Sequence, residues 1–198
     1  TRVACERIAR SAFELAMMRN KKVSIIHKAN VLKLTYGFFL ECCNKVSEDF
    51  PQVEVNDFHI DAVAALLVRE PEEFDVIVTT NMFGDILSDQ GGGILGSLGL
   101  MPSACIGPKK AYYEPSHGSA PDIAGQGIAN PYSMIGSVAM MLEMSFGMEE
   151  EAKNVWHAMQ SVFTQGYSTP DLSSPDSDLN LISTEGFGDL VVSELKKA

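Results

Sequence analysis

The chain has 198 residues, 45% of them hydrophobic, and a formal net charge of −11 at pH 7. That length allows one or two domains with a real core, and no apolar run approaches the ~18 residues of a membrane span. The negative charge argues against nucleic acid or an anionic membrane surface as a partner, and the chain shows no signal-like start.

Ala4, Ile8, Ala12 and Leu15 recur at helical spacing, so the first twenty residues read as an amphipathic helix. Val23 to Ile26 is a short strand. Phe38, Phe39, Cys42, Val46 and Phe50 suit a second helix. Val53 to Phe58 reads as another strand, followed by a helix carrying Ile60, Val63, Ala64 and Leu67 that Pro71 stops. Asp75 to Thr80 is the clearest strand, nearly all apolar and expected to be buried on both faces. A helix starting near Asn81 follows it. Alternating strands and helices predict an α/β fold with substantial parallel pairing.

The second half differs in composition. Glycine and proline crowd residues 91 to 131, and a shift near residue 96 marks a candidate boundary. Asn130 and Pro131 predict a helix start, with Asn as N-cap and Pro in the first turn. That helix runs through Met134, Val138, Met141, Leu142 and Phe146 to Gly147, its methionines expected to fill core. Another carries Val155, Met159, Val162 and Phe163 and ends at Gly166. Ser168 to Asn180 is predicted loop, and Ser183 caps a last helix through Leu190, Val191 and Leu195.

The four cysteines, Cys5, Cys42, Cys43 and Cys105, form no CxxC pair and no zinc spacing. They suit a reducing compartment as small buried hydrophobes.

The richest segment is Asn81-Met82-Phe83-Gly84-Asp85-Ile86-Leu87-Ser88-Asp89. On a helix, Asp85 and Asp89 share one face a turn apart, where like charges repel. Either this is a solvated acidic face, or the carboxylates are hard oxygen ligands for Mg²⁺ or Mn²⁺. Position after a buried strand and before Gly91-Gly92-Gly93 favours the second. Residues 114 to 131 form a long glycine-rich loop, either a surface Ω-loop or a binding loop. In the latter case His117 can meet a heterocycle and Asp122 the hydroxyls of a ribose, repelling a 2′-phosphate. No GxGxxG follows a strand, so a standard Rossmann site is not supported. Lys28, at the end of a strand, is either solvated or a proton-transfer group. Asp61 lies on an otherwise apolar helix and needs a cap, lysine or metal partner.

Four segments, HKANV at 27–31, NMFGDILSD at 81–89, GSLGLMPSA at 96–104 and EPSHGSAPDIAGQGIANP at 114–131, occur in this order. With them the chain resembles, essentially end to end, the β-decarboxylating dehydrogenases acting on isopropylmalate, isocitrate and homoisocitrate. The resemblance implies their α/β fold and a metal site of Asp85 and Asp89 from one subunit with Asp61 from the other. Lys28 of that second subunit would be the catalytic lysine, with Asp61 tuning it. The adenosine loop would run from Glu114 to Asn130, through His117, Gly118, Ser119, Ala120, Asp122 and Ile123. His117 and Asn130 would lie near the adenine and Asp122 on the ribose. NADP-using members carry lysine and tyrosine at the positions of Asp122 and Ile123, so NAD is the implied cofactor. The implied reaction oxidises a 3-substituted malate at C2 and releases CO₂, with Mg²⁺ or Mn²⁺ on the hydroxyl and carboxylate.

Members of that family carry a first half with an arginine cluster for the substrate and a tyrosine that protonates the enol. This chain has only Arg2, Arg7, Arg10, Arg19 and Arg69, and no counterpart of that half. The expected fold is therefore incomplete, its sheet short of strands, and these residues alone are expected to be inactive. Residues 1–96 should be the second part of a small, dimer-forming domain. Residues 97–198 should be the C-terminal part of the large, cofactor-binding domain. A full-length homodimer with a shared site is implied, in the cytoplasm or an organelle matrix. GSLGLMPSA favours isopropylmalate, with isocitrate and homoisocitrate as alternatives. A regulatory or structural fragment without catalysis is the reading from another class.

Overall fold

The computed structural model describes residues 1–174 and 178–197, so residues 175–177 of the predicted Ser168–Asn180 loop lie outside the described residues. The chain forms two compact units, Thr1–Gly91 and Gly92–Ala198.

The first unit alternates helix and strand: α1 (Arg2–Met17), β1 (Lys22–His27), α2 (Lys33–Ser47), β2 (Glu54–His59), α3 (Ile60–Arg69), β3 (Val76–Val78) and most of α4 (Asn81–Leu95), whose last four residues fall in the second unit. Its sheet has the order β2-β1-β3, and both pairings are parallel. Parallel neighbours need a crossover; α2 supplies it between β1 and β2. The central strand explains the apolar run of the sequence. Val23 and Ile25 point into a core with Ala9, Phe13, Phe39, Cys43 and Val46. Ile26 points the other way, against Val63 and Leu87.

Two expectations change here. Asp75–Thr80 shortens to the three residues of β3, which pair only with Val23 to Ile25. The clearest strand is instead β1, because the middle of a sheet buries both faces. Phe50 lies beyond the end of α2 and stacks on Phe13 with ring centroids 5.4 Å apart. Its apolar signal reflects a turn packed onto the core rather than a longer helix.

The second unit holds a hairpin, β4 (Pro102–Ile106) and β5 (Ala111–Pro115), then α5 (Tyr132–Phe146), α6 (Glu149–Thr164), β6 (Tyr167–Ser168), β7 (Asn180–Leu181) and α7 (Thr184–Leu195). The hairpin is antiparallel and pairs Pro102 with Pro115 and Ile106 with Ala111. It falls in the stretch that composition marked only as glycine- and proline-rich. Gly147 ends α5 in the left-handed conformation at φ 65°, which glycine adopts without a Cβ penalty. Three glutamates, Glu149 to Glu151, open α6 where the helix dipole favours negative charge. Ser183 caps α7, its Oγ accepting the Gly186 N–H at 3.1 Å.

The face of α5 differs from the expectation. Its buried residues are Ser133, Gly136, Ser137 and Ala139, while Met134, Val138 and Phe146 are exposed. The neighbour explains why: a Cβ on Gly136 would come within 2.8 Å of the Trp156 ring and 3.1 Å of Pro102. Only small residues allow that approach. The core of this unit forms elsewhere, from Met159, Val162, Phe187 and Val191. No helix among the described residues is long and apolar enough to cross a membrane.

Candidate active site

In the first unit Lys28 and Asp61 sit just beyond the ends of β1 and β2, and Asp85 and Asp89 on the helix that follows β3. Lys28 follows β1 directly and Asp61 lies in the first turn of α3. The Lys28 ammonium donates to the Asp61 carboxylate. Lys28 is largely covered, with 23% of its side chain exposed, whereas Asp61 is 69% exposed. Of the partners expected for Asp61 the lysine is the one present, and α3 turns this position to solvent rather than to apolar neighbours. That hydrogen bond, more than any other influence, holds the Asp61 carboxyl below its ordinary range.

Asp85 and Asp89 lie on α4 four residues apart and both are exposed. Phe83, two residues before Asp85, and Leu87, between the two aspartates, are buried hydrophobic positions of the same helix. Tyr36 stacks on Phe83 with centroids 4.8 Å apart and so anchors the start of α4. Neither aspartate carboxylate has a cation or a hydrogen-bond donor as a partner among the described residues. Two unneutralised carboxylates at one-turn spacing are a donor set that fits a hard divalent cation. Asp61 is not gathered with them: among the described residues no three metal-binding side chains come together.

In the second unit the loop after β5 borders a cleft of about 820 Å³. That is within the size range of small-molecule sites. His117, Gly118, Ser119, Ala120, Ile123 and Asn130 line it. Glu114 and Asp122 do not. Glu114 stands exposed on β5 opposite Ser103, and Asp122 is exposed in the loop, its backbone carbonyl accepting from Gln126 Nε2 at 2.9 Å. The imidazole of His117 is fixed at both nitrogens. Nδ1 lies 2.8 Å from the Gly118 carbonyl, which can only accept, so Nδ1 carries a proton. Nε2 lies 2.9 Å from the buried Ser133 hydroxyl. Ala120 adopts φ 43°, a left-handed conformation that costs a non-glycine residue roughly 1–3 kcal/mol. Apolar walls, a fixed imidazole and glycine-rich backbone suit a flat heterocycle on a polar tether, so the residues fit a dinucleotide.

Asn130 is buried, and its side chain is committed. Nδ2 donates to Thr169 Oγ1 at 2.8 Å, and Oδ1 accepts the Tyr132 N–H at 2.9 Å. The latter bond caps α5, whose first helical residue is Tyr132, with Pro131 at the cap position where Asn130 was expected. Asp171 completes this wall. It accepts from Ser97 Oγ at 2.7 Å, the Asn130 N–H at 3.0 Å and Thr169 Oγ1 at 2.6 Å. Sequence reasoning missed Asp171, because Thr169-Pro170-Asp171 reads as an ordinary turn. Gly99, within GSLGLMPSA, is needed at the same spot, since a Cβ there would be 2.8 Å from the Asn130 carbonyl.

The family model for isocitrate/isopropylmalate dehydrogenase matches residues 1–191. The 3-isopropylmalate dehydrogenase of Archaeoglobus fulgidus is 54% identical over 173 residues, 87% of this chain and 53% of that protein. The isocitrate/homoisocitrate dehydrogenase of Thermus thermophilus is 51% identical over 194 residues, 98% of this chain and 56% of that protein. The crystal structure of isocitrate dehydrogenase from Methylococcus capsulatus superposes with a TM-score of 0.92 at 44% identity, covering 99% of this chain and 57% of that one. The chain thus spans about half the length of the curated relatives it matches.

Proposed function

The chain belongs to the isocitrate/isopropylmalate dehydrogenase family, and on that premise we propose that it is part of an NAD-dependent enzyme that oxidatively decarboxylates a 3-substituted malate. The favoured substrate is 3-isopropylmalate; isocitrate and homoisocitrate are the alternatives. The GSLGLMPSA segment supports that order; identity does not rank the substrates, since 3-isopropylmalate dehydrogenases are 47–54% identical and an isocitrate/homoisocitrate enzyme 51%.

One observation carries the catalytic reading. Asp85 and Asp89 stand together without neutralising partners on the same unit that pairs Lys28 with Asp61. A fold maintained for packing alone gains nothing from two like charges a turn apart. When bound, Mg²⁺ or Mn²⁺ supplies a charge that acidifies the substrate hydroxyl, and NAD supplies the hydride acceptor.

The chain's own residues do the rest. Asp85 and Asp89 hold the cation, with Asp61 of a second copy completing the donor set. Lys28 of that second copy moves the hydroxyl proton, and Asp61 orients its ammonium group. His117 and the walls of its cleft hold the adenosine portion of NAD, and Asp122 selects the unphosphorylated ribose. Residues 1–96 belong to the dimer-forming domain and residues 97–198 to the cofactor domain.

The test is NAD reduction by the full-length parent chain with Mg²⁺, offered isopropylmalate, isocitrate and homoisocitrate. One clearly preferred substrate with metal-dependent turnover supports the proposal. A folded dimer that turns over none of them refutes it and moves the assignment to a structural or regulatory role.

A further inference from the structure

The loop carrying Lys28 is braced by a histidine that the proposed chemistry does not use. His27 ends β1 with 2% of its surface exposed. Both ring nitrogens are occupied. The Ala29 N–H donates to Nδ1 at 3.0 Å, so Nδ1 is the unprotonated nitrogen. The proton is then on Nε2, which donates to Asp57 Oδ2 at 2.9 Å. Asp57 lies on β2, the parallel neighbour of β1. The His59 ring meets His27 edge-on, with centroids 5.2 Å apart.

The imidazole therefore spans from β2 to the first amide beyond Lys28. The Lys28 carbonyl accepts the Val31 and Leu32 N–H groups at 3.1 and 2.9 Å, closing the turn from its other side. With backbone held before and after it, Lys28 has only its side-chain torsions left, and Asp61 takes the end of that side chain. The buried residues earlier on β1 are apolar except Ser24, whose hydroxyl donates to Asn56 Oδ1 at 2.7 Å. A buried imidazole at the last position is costly to accommodate unless both nitrogens are satisfied. Here both are satisfied, and one of the two bonds goes to the catalytic loop itself.

We propose that His27, oriented by Asp57, is a positioning residue that sets where the Lys28 ammonium stands. The inference rests on the reading of Lys28 as the proton-moving group. It concerns the shape of the loop rather than any contact of His27 with substrate.

The experiment is a double-mutant cycle in the full-length dimeric enzyme, with kcat and the KM for NAD measured for each variant. His27→Asn keeps an acceptor near Nδ1 but loses Asp57. His27→Gln keeps the reach to Asp57, and His27→Leu loses both. The expected result is a fall in kcat of up to about 100-fold for His27→Leu, the scale of an ångström's misplacement. Partial recovery is expected in His27→Asn, with the KM for NAD changed less than about twofold. In a Lys28→Met background, His27→Asn should leave the residual kcat unchanged, because there is no ammonium left to position. Should His27→Leu not fold, His27→Asn and Asp57→Ala carry the same cycle.

The proposal is overturned if the His27 variants keep wild-type kcat while Lys28→Met is inactive. It is equally overturned if their losses are the same in both backgrounds, as a general structural role predicts. A Lys28→Met enzyme with undiminished kcat would instead remove the reading of Lys28, and the positioning role with it.

Discussion

The Lys28 ammonium donates to the Asp61 carboxylate, joining the loop after β1 to the first turn of α3 within one chain. The pair has an acid-side consequence. The hydrogen bond from Lys28 is the main cause that lowers the Asp61 pKa from its ordinary 3.8. A carboxyl whose folded-state pKa is depressed adds stability above its unfolded value and loses it as pH falls through the folded one. Thermal melts should therefore drop below pH 3.8 less steeply in Asp61→Asn than in the parent. The difference should be small and shrink with added salt, because Asp61 is exposed. Parallel slopes would show that the pair contributes nothing.

Asp85 is expected to bind metal in the full-length enzyme. Asp85→Asn should weaken Mn²⁺ binding by roughly tenfold or more, since even an outer-shell partner is worth that much. Titration calorimetry reads this without turnover. Chelation with EDTA should abolish NAD reduction, and Mn²⁺ should restore it. Unchanged Mn²⁺ affinity in the variant would exclude Asp85 as a ligand.

Cofactor choice should follow charge in the loop. Asp122→Lys with Ile123→Tyr removes the carboxylate that repels a 2′-phosphate and adds an ammonium. The kcat/KM ratio of NADP to NAD should rise in the full-length enzyme. A ratio that stays put would place the ribose elsewhere than beside Asp122.

Gly136 lets α5 pack closely against Trp156 of α6. In Gly136→Ala the new Cβ would stand 2.8 and 2.9 Å from two atoms of the Trp156 ring. Overpacking of this kind costs about 1–3 kcal/mol, against a gain of about 1 kcal/mol in helix propensity. Net destabilisation is expected in urea titration. Trp156 is the sole tryptophan, so its emission should shift in the folded state as well.

The thiols should react in a set order. Cys105 is exposed, while Cys42 and Cys43 are buried. Burial pushes the Cys43 thiol up to about 12, which suppresses the reactive thiolate. Iodoacetamide should label Cys105 first in the native protein, with Cys42 and Cys43 reached only after unfolding. Mass spectrometry of timed digests gives the order directly.

The features that the sequence alone determined are local. The β1 run, the cap at Ser183 and the stop at Gly147 depend on residues within a turn or two of each other, so periodicity and cap chemistry reveal them. The alternation of helices and strands was legible for the same reason, and with it the parallel sheet. Spacing also marked Asp85 and Asp89 as candidates, and local context marked Lys28 at a strand end, Asp61 on an apolar helix and His117 in the glycine-rich loop.

Tertiary structure decided what depends on distant partners. The helix period of α5 was right, yet Met134, Val138 and Phe146 face outward. Trp156 and Pro102, both more than fifteen residues away, admit only small side chains on the packed face. The β4–β5 hairpin needs two weakly patterned segments to find each other, and neither announces itself alone. Asp171 bonds to Ser97 across 74 positions and to the Asn130 amide across 41. His27 reaches Asp57 across 30. A hydrogen bond is made by atoms about 3 Å apart in space, and spacing along the chain carries no record of that distance until the sheet and helices have brought the ends together.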